Sequence, residues 1–458
     1  MRKIPLVSLV LLIVAAIDSI RNLPAPALFG GSLIFFFVLA AILFLIPTSL
    51  VSAELSATFP EKGGVYHWVR AAFGSKWAML AIWLQWINTM VWYPTILSFI
   101  AGTAAYLIDP NLVNNKVYLM TGVLAVFWSV TLINLRGIHF SAKLNSICAI
   151  FGVMLPMVFL VGLGVVWLIM KRPIQIELGL THLLPSLRVA DNWVSLVAIM
   201  ASFLGMELAG VHVNDIKEPQ RNFPKAVLYA ATFILLSMLF GSLTIAVVLP
   251  AHEINLVAGV IQVLTSLLDS FGIGFLTPVF AVLIVLGTVG QITNYLISPA
   301  KGLMHAAEFG FMPPFFMRQN RHGVASSILI GQGIVVTCVC SLFMLVPTVN
   351  DFYWFLTALS TELYMMMYLL MFLAALYLHH RYVNRPQTFK IPGGHIGMWS
   401  TGLLGILGCL VTIVVSFFPP DALAISSLSR YAKMIAIGNI ISISPVFLFF
   451  YYKHRKSL

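Results

Sequence analysis

A chain of 458 residues that is 60% hydrophobic and 9% charged, with a mean hydropathy of +0.98, holds more apolar surface than soluble cores can hide. The net charge of +11 does not form a nucleic-acid-binding patch, because the 26 Lys and Arg are scattered between apolar runs. These facts exclude a string of soluble domains and a nucleic-acid partner, and make the chain one transmembrane domain, residues 1–458, whose solvent is the lipid bilayer.

A spanning helix needs about 20 mostly apolar residues. On that template the chain is an all-α integral membrane protein with helices near 4–29, 32–56, 76–108, 117–135, 139–170, 190–212, 223–249, 273–306, 324–346, 350–379, 396–418 and 430–452. Helices 1–5 fill about 4–170, helices 6–10 about 190–379, and helices 11–12 about 396–452. The first follows Arg2 and Lys3 as a signal peptide would, but no small-residue cleavage site ends it, so it is expected to be retained. Between helices seven and eight, Leu256, Val260, Val263, Leu264 and Leu267 predict a short amphipathic helix lying on the outer surface. Placing both termini in the cytoplasm puts 19 of the 26 Lys and Arg on the cytoplasmic side of a cell membrane. Cys148, Cys338, Cys340 and Cys409 all fall in apolar segments without metal-ligand spacing, and no metal or cofactor is expected.

Two spans carry features that a plain helix avoids. The first is interrupted by Asp18-Ser19-Ile20-Arg21-Asn22-Leu23-Pro24-Ala25-Pro26, where Pro24 lacks an N–H and its ring opposes the Ile20 carbonyl. The sixth contains Ser202-Phe203-Leu204-Gly205-Met206-Glu207-Leu208-Ala209-Gly210, two glycines around a carboxylate. Backbone groups freed at such breaks cannot face lipid, so they must line a cavity or meet a ligand. Helices one and six open two five-helix halves, and breaks in corresponding positions of inverted repeats point to a midplane substrate site. Half-helix ends offer N–H groups to a carboxylate and carbonyls to an ammonium, which suits a zwitterion such as an amino acid.

The candidate substrate-binding residues are therefore Asp18, Ser19, Ile20, Arg21, Asn22, Ser202, Phe203, Gly205 and Glu207, with Gln291 and Tyr295 from helix eight. Arg21 has two open roles, binding a substrate carboxylate or forming a fixed ion pair with Asp18 or Glu207. Asp18 is correspondingly a cation or ammonium ligand, or that partner. Glu207 is a candidate proton carrier or gate, or a permanent partner for Arg21 or a lysine. Further gating or proton-coupling candidates are Trp86 and Tyr93, seven apart on helix three near Gln85 and Asn88, and Glu362 and Tyr364 on helix ten. Tyr364 and Tyr368 share a face, whereas Glu362 stands roughly 200° from Tyr364. Glu54 and Glu308 lie near cytoplasmic helix ends, where loop hydrogen bonds account for them.

Several stretches together resemble the amino acid–polyamine–organocation superfamily. They are Pro60-Glu61-Lys62-Gly63-Gly64-Val65-Tyr66-His67-Trp68-Val69-Arg70 after helix two, Gly205-Met206-Glu207 with Asn214, Glu218-Pro219 and Pro224-Lys225-Ala226, and Ser298-Pro299-Ala300-Lys301-Gly302-Leu303 at the end of helix eight. Phe389-Lys390-Ile391-Pro392-Gly393-Gly394 and Ser416-Phe417-Phe418-Pro419-Pro420-Asp421 are similar to the glutamate/γ-aminobutyrate antiporter branch, although Gln291 stands where that branch carries a glutamate. The resemblance implies about twelve transmembrane helices as a five-plus-five inverted repeat with broken helices one and six, plus two C-terminal helices. It also implies exchange of amino acids by alternating access, here of acidic or neutral ones. A proton-coupled symporter or uniporter is the alternative; around Cys148 and Gly152 helix five lacks the lysine found in some proton-driven members. No HExxH, GxSxG or phosphate-binding loop suggests an enzyme, and no pore-loop repeat suggests a channel.

Overall fold

The computed structural model describes residues 5–59, 64–137, 147–148, 150–177, 179, 185, 190–207, 219–308, 310–382, 389–421, 423 and 427–457. The chain enters as α1 (Leu6–Ile17), which stops because Asp18 and Ser19 are extended, with ψ of 112° and 110°. A tight turn at Ile20–Asn22 then leads into α2 (Pro24–Ala27), where Pro24 occupies a first-turn position that needs no N–H. The long α3 (Gly30–Thr58) widens into a π-turn at Ala41–Leu45, directly before Pro47, which cannot complete the regular hydrogen-bond ladder.

A short α4 (Val65–Phe73) ends at Gly74 and is followed by the 31-residue α5 (Ser75–Ala105). Next come α6 (Lys116–Leu135), α7 (Ile150–Ile169), α8 (Ala190–Ser202), α9 (Pro219–Val248), α10 (Gly259–Ser270) and α11 (Thr277–Glu308). The chain closes with α12 (Ser326–Ser341), α13 (Val349–Arg381), α14 (Gly394–Val415), α15 (Leu428–Ile443) and α16 (Pro445–Ser457). The twelfth predicted helix is thus divided at Pro445, where an N–H is missing.

Among the described residues no strand occurs, and nine helical runs are long and apolar enough to cross a membrane. The outermost helices keep an apolar stripe for lipid: Leu403, Leu407, Leu410 and Val414 of α14 recur at helical spacing and are exposed. By contrast α5 and α13 are buried over most of their length and pack on each other. That is why α5 can hold Gln85, Asn88 and Pro94: its surroundings are protein.

Two close approaches shape the rim of this core. Helices α7 and α11 cross backbone to backbone, and a Cβ placed on Gly152 would come within 2.2 Å of Gly287 Cα. The predicted amphipathic helix forms as α10, and Val260, Val263, Leu264 and Leu267 are fully buried, so its apolar face is covered by protein. It sits so tightly that a Cβ on Gly259 would meet Pro24 at 2.9 Å, while one on Gly102 would meet Val257 at 2.6 Å. The Asn350 side chain fixes the approach, accepting from Leu256 N at 2.9 Å and donating to Ile254 O at 3.1 Å.

Candidate functional site

The break after α1 turns two charges in different directions. Asp18, 3% exposed, points toward α9, where Ser237 Oγ donates to its Oδ2 at 3.0 Å; Oδ1 has no hydrogen-bond partner among the described residues. Arg21, 5% exposed, points toward α5 and α13. Its Nη1 donates to Thr95 Oγ1 at 2.7 Å and to Tyr353 Oη at 3.3 Å, and its guanidinium lies 4.9 Å from the Trp92 ring centroid. These three partners are neutral: two hydroxyl oxygens accept from the guanidinium, and the Trp92 ring lies against it. Ser19 is half-buried, whereas Ile20 and Asn22 are buried beside Arg21.

The second break follows α8. Ser202 Oγ donates back to Ala198 O at 3.0 Å, competing with the helix ladder. Phe203 is fully buried and meets Phe37 edge-on at 6.0 Å. Gly205 then takes φ of +104°, a conformation that side chains oppose, and its N–H donates to Tyr368 Oη at 2.9 Å. This turn delivers Glu207, 2% exposed, to the α5–α13 seam. Its Oε1 accepts from Tyr364 Oη and, at 3.2 Å, from Gln85 Nε2; its Oε2 accepts from Tyr368 Oη. The carboxylate is therefore enclosed by three neutral donors drawn from two other helices.

Arg21 and Glu207 mark the ends of one polar seam. Gln85 meets Tyr364 at 3.3 Å, Ser360 donates to Asn88 at 2.6 Å, and Thr95 and Tyr353 converge on Arg21. The partners run in opposite directions along the two helices, forming an antiparallel ladder. Gln85, Asn88, Trp92 and Thr95 repeat at spacings of three, four and three, one face of α5. That spacing is visible in the sequence and would have identified Trp92 and Thr95, as Tyr353, Thr357, Ser360 and Tyr364 at spacings of four, three and four would have identified Tyr353, whereas Ser237 carries no local signal.

The remaining candidates lie elsewhere. Trp86 packs on Trp83 with centroids 5.0 Å apart, and Tyr93 packs edge-on to Phe127 of α6 at 5.2 Å. Glu362 is 1% exposed and accepts from Asn439 Nδ2 of α15 at 2.8 Å, away from Tyr364 and Glu207. Gln291 is partly buried on α11, and the side chain of Tyr295 lies outside the described residues, as do Asn294, Glu308 and residues 208–218. Glu54 accepts from Ile391 N at 2.8 Å and meets His379 Nδ1 at 2.7 Å, tying the end of α3 to α13 and to the segment before α14.

A cavity of about 460 Å³ opens beyond α2, lined in part by Phe29, Gly31, Ser32, Gln175 and Leu249. It shares no lining residue with the Asp18–Arg21–Glu207 group. Asp18, Arg21 and Glu207 are themselves buried, so the cavity and these three residues are separate features of the structure.

The sequence matches the model of the amino acid permease family over residues 4–441. An uncharacterized transporter of Legionella pneumophila is 38% identical over 451 residues, covering 98% of this chain and 97% of its own. A glutamate/gamma-aminobutyrate antiporter of Lactococcus lactis is 26% identical, with 96% of this chain and 89% of the relative covered. Among solved structures, a manganese transporter of Eremococcus coleocola superposes with a TM-score of 0.60 at 14% identity, over 97% of this chain and 94% of that one; the likeness is one of fold. Helices broken around buried charges and a match over nearly the whole chain lead to one conclusion: this chain belongs to the amino acid permease family of multi-pass membrane transporters.

Proposed function

We propose that this permease exchanges acidic or neutral amino acids across the cell membrane by alternating access, with both termini in the cytoplasm. The observation that carries the reading is the pair of breaks, which bring Asp18, Arg21 and Glu207 into the centre of the bundle. Asp18 Oδ1 is an acceptor suited to a substrate ammonium. The break at Ser19–Asn22 adds backbone donors for a carboxylate, and Arg21 disfavours a cationic side chain nearby. Exchange is also the activity named for the Lactococcus relative.

The test is uptake of labelled glutamate, and then of neutral amino acids, into proteoliposomes loaded with one amino acid at a time. Uptake that depends on a particular internal amino acid supports exchange. Equal uptake into unloaded vesicles selects the second reading, proton-coupled or uniport movement, which Glu207 and its ring of neutral donors favour.

A further inference from the structure

Away from the two breaks, α13 and α15 run side by side in parallel register. Trp354 adjoins Tyr431, and eight residues on in each helix, about 12 Å, Glu362 meets Asn439. All four residues are buried, at 0%, 2%, 1% and 7% exposure respectively. Tyr431 has Trp354 as its neighbour, whereas Asn439 Oδ1 lacks a hydrogen-bond partner among the described residues. Nothing in the transport site uses this seam.

We propose that Glu362 and Asn439 form a proton-binding site in which Glu362 is a neutral acid that donates its proton to the Asn439 amide oxygen. The orientation of the amide fixes the argument. Asn439 Nδ2 donates both to Ile435 O at 3.1 Å and to Glu362 Oε2 at 2.8 Å, so the nitrogen faces two acceptors and Oδ1 is the atom left without a donor. An ionised carboxylate has only acceptors and cannot satisfy it; the neutral acid has one O–H and can. The acid and the amide then exchange two hydrogen bonds, which removes a buried orphan and avoids an uncompensated buried charge.

The surroundings favour a proton over a metal ion. Trp354 Nε1 is a donor, the seam is closed to solvent, and no cluster of three metal-ligating side chains occurs among the described residues. Other titratable groups that meet α13 do so elsewhere: Arg21 at Tyr353, Glu207 across the helix at Tyr364 and Tyr368, and Glu54 and His395 at His379, roughly five turns away. Tyr431 is the titratable group that shares the seam.

Infrared spectroscopy of the full chain in lipid tests this without any substrate, so failure of the exchange reading leaves the result interpretable. The expected result is a carboxylic-acid C=O band at neutral pH that is lost in Glu362→Gln, which keeps the shape of the neutral acid. The same band should shift in Asn439→Ala, which removes the acceptor. A wild-type spectrum in which Glu362→Gln removes no such band, at acidic or neutral pH, overturns the proposal. So does a Glu362 band that Asn439→Ala leaves in place, because the proton is then not shared with the amide.

Discussion

Arg21 and Tyr353 hold each other twice: the guanidinium donates to the phenol oxygen at 3.3 Å, and the phenol O–H lies 3.3 Å from the Arg21 carbonyl. One tyrosine of α13 thus secures both the charge and the non-helical backbone that carries it. Arg21→Lys keeps the charge but loses the planar guanidinium, whose Nη1 reaches Thr95 and Tyr353 while its Cζ lies against Trp92. Exchange should fall about tenfold, a loss of roughly 1.4 kcal/mol. Initial rates in loaded proteoliposomes decide it, and a rate equal to wild type would show that charge alone is needed.

Glu207→Gln replaces one acceptor oxygen by a donor amide, so a Tyr364 or Tyr368 hydroxyl loses its acceptor. A buried orphan of that kind costs about 1–3 kcal/mol, enough to slow exchange about ten- to a hundredfold if the ring must re-form each cycle. Tyr364→Phe should show the same defect more mildly, because Gln85 still donates to Glu207. Counterflow rates alongside thermal unfolding separate lost transport from lost folding.

The Asn88–Ser360 rung can be measured alone. Alanine at each position and at both completes a double-mutant cycle, and the coupling should be about 0.5–1.5 kcal/mol. Unfolding in detergent gives the number; additive effects would mean that the 2.6 Å contact contributes nothing to the seam.

Gly152→Ala should be strongly disruptive. The added carbon meets backbone, which cannot rotate away, so the cost exceeds the roughly 1–3 kcal/mol of ordinary overpacking. Gly162, with nothing within 4 Å of its added Cβ, is the matched control on the same helix. The yield of monodisperse protein should collapse for the first and hold for the second.

Helix positions were legible because apolar length is a property of each segment by itself. The break at Asp18–Pro26 was equally plain, since charges and prolines interrupt an otherwise apolar run. What a face packs against is not a local property. The period of Val260, Val263, Leu264 and Leu267 announces an apolar face, yet only the folded chain sets Pro24 beneath Gly259. Trp86 and Tyr93 do share a side of α5, but nothing in their spacing says whether that side looks toward Phe127 or toward Glu207. Likewise Glu362 stands out as a buried acid, while its partner Asn439 lies 77 residues away in sequence.

The ladder between α5 and α13 has one more property, which comes from its repeat. If one helix slid past the other by a single turn, about 5.4 Å, Asn88 would come opposite Tyr364, Trp92 opposite Ser360, and Thr95 opposite Thr357. These three rungs would again join groups able to hydrogen-bond, while Tyr353 would come opposite Phe99. Over its middle the seam is commensurate with itself after a one-turn step, like a rack with evenly cut teeth. A step of the two helices from one register to the other would therefore keep the middle of the seam paired and be felt at its Arg21 end, where Thr95 and Tyr353 would part.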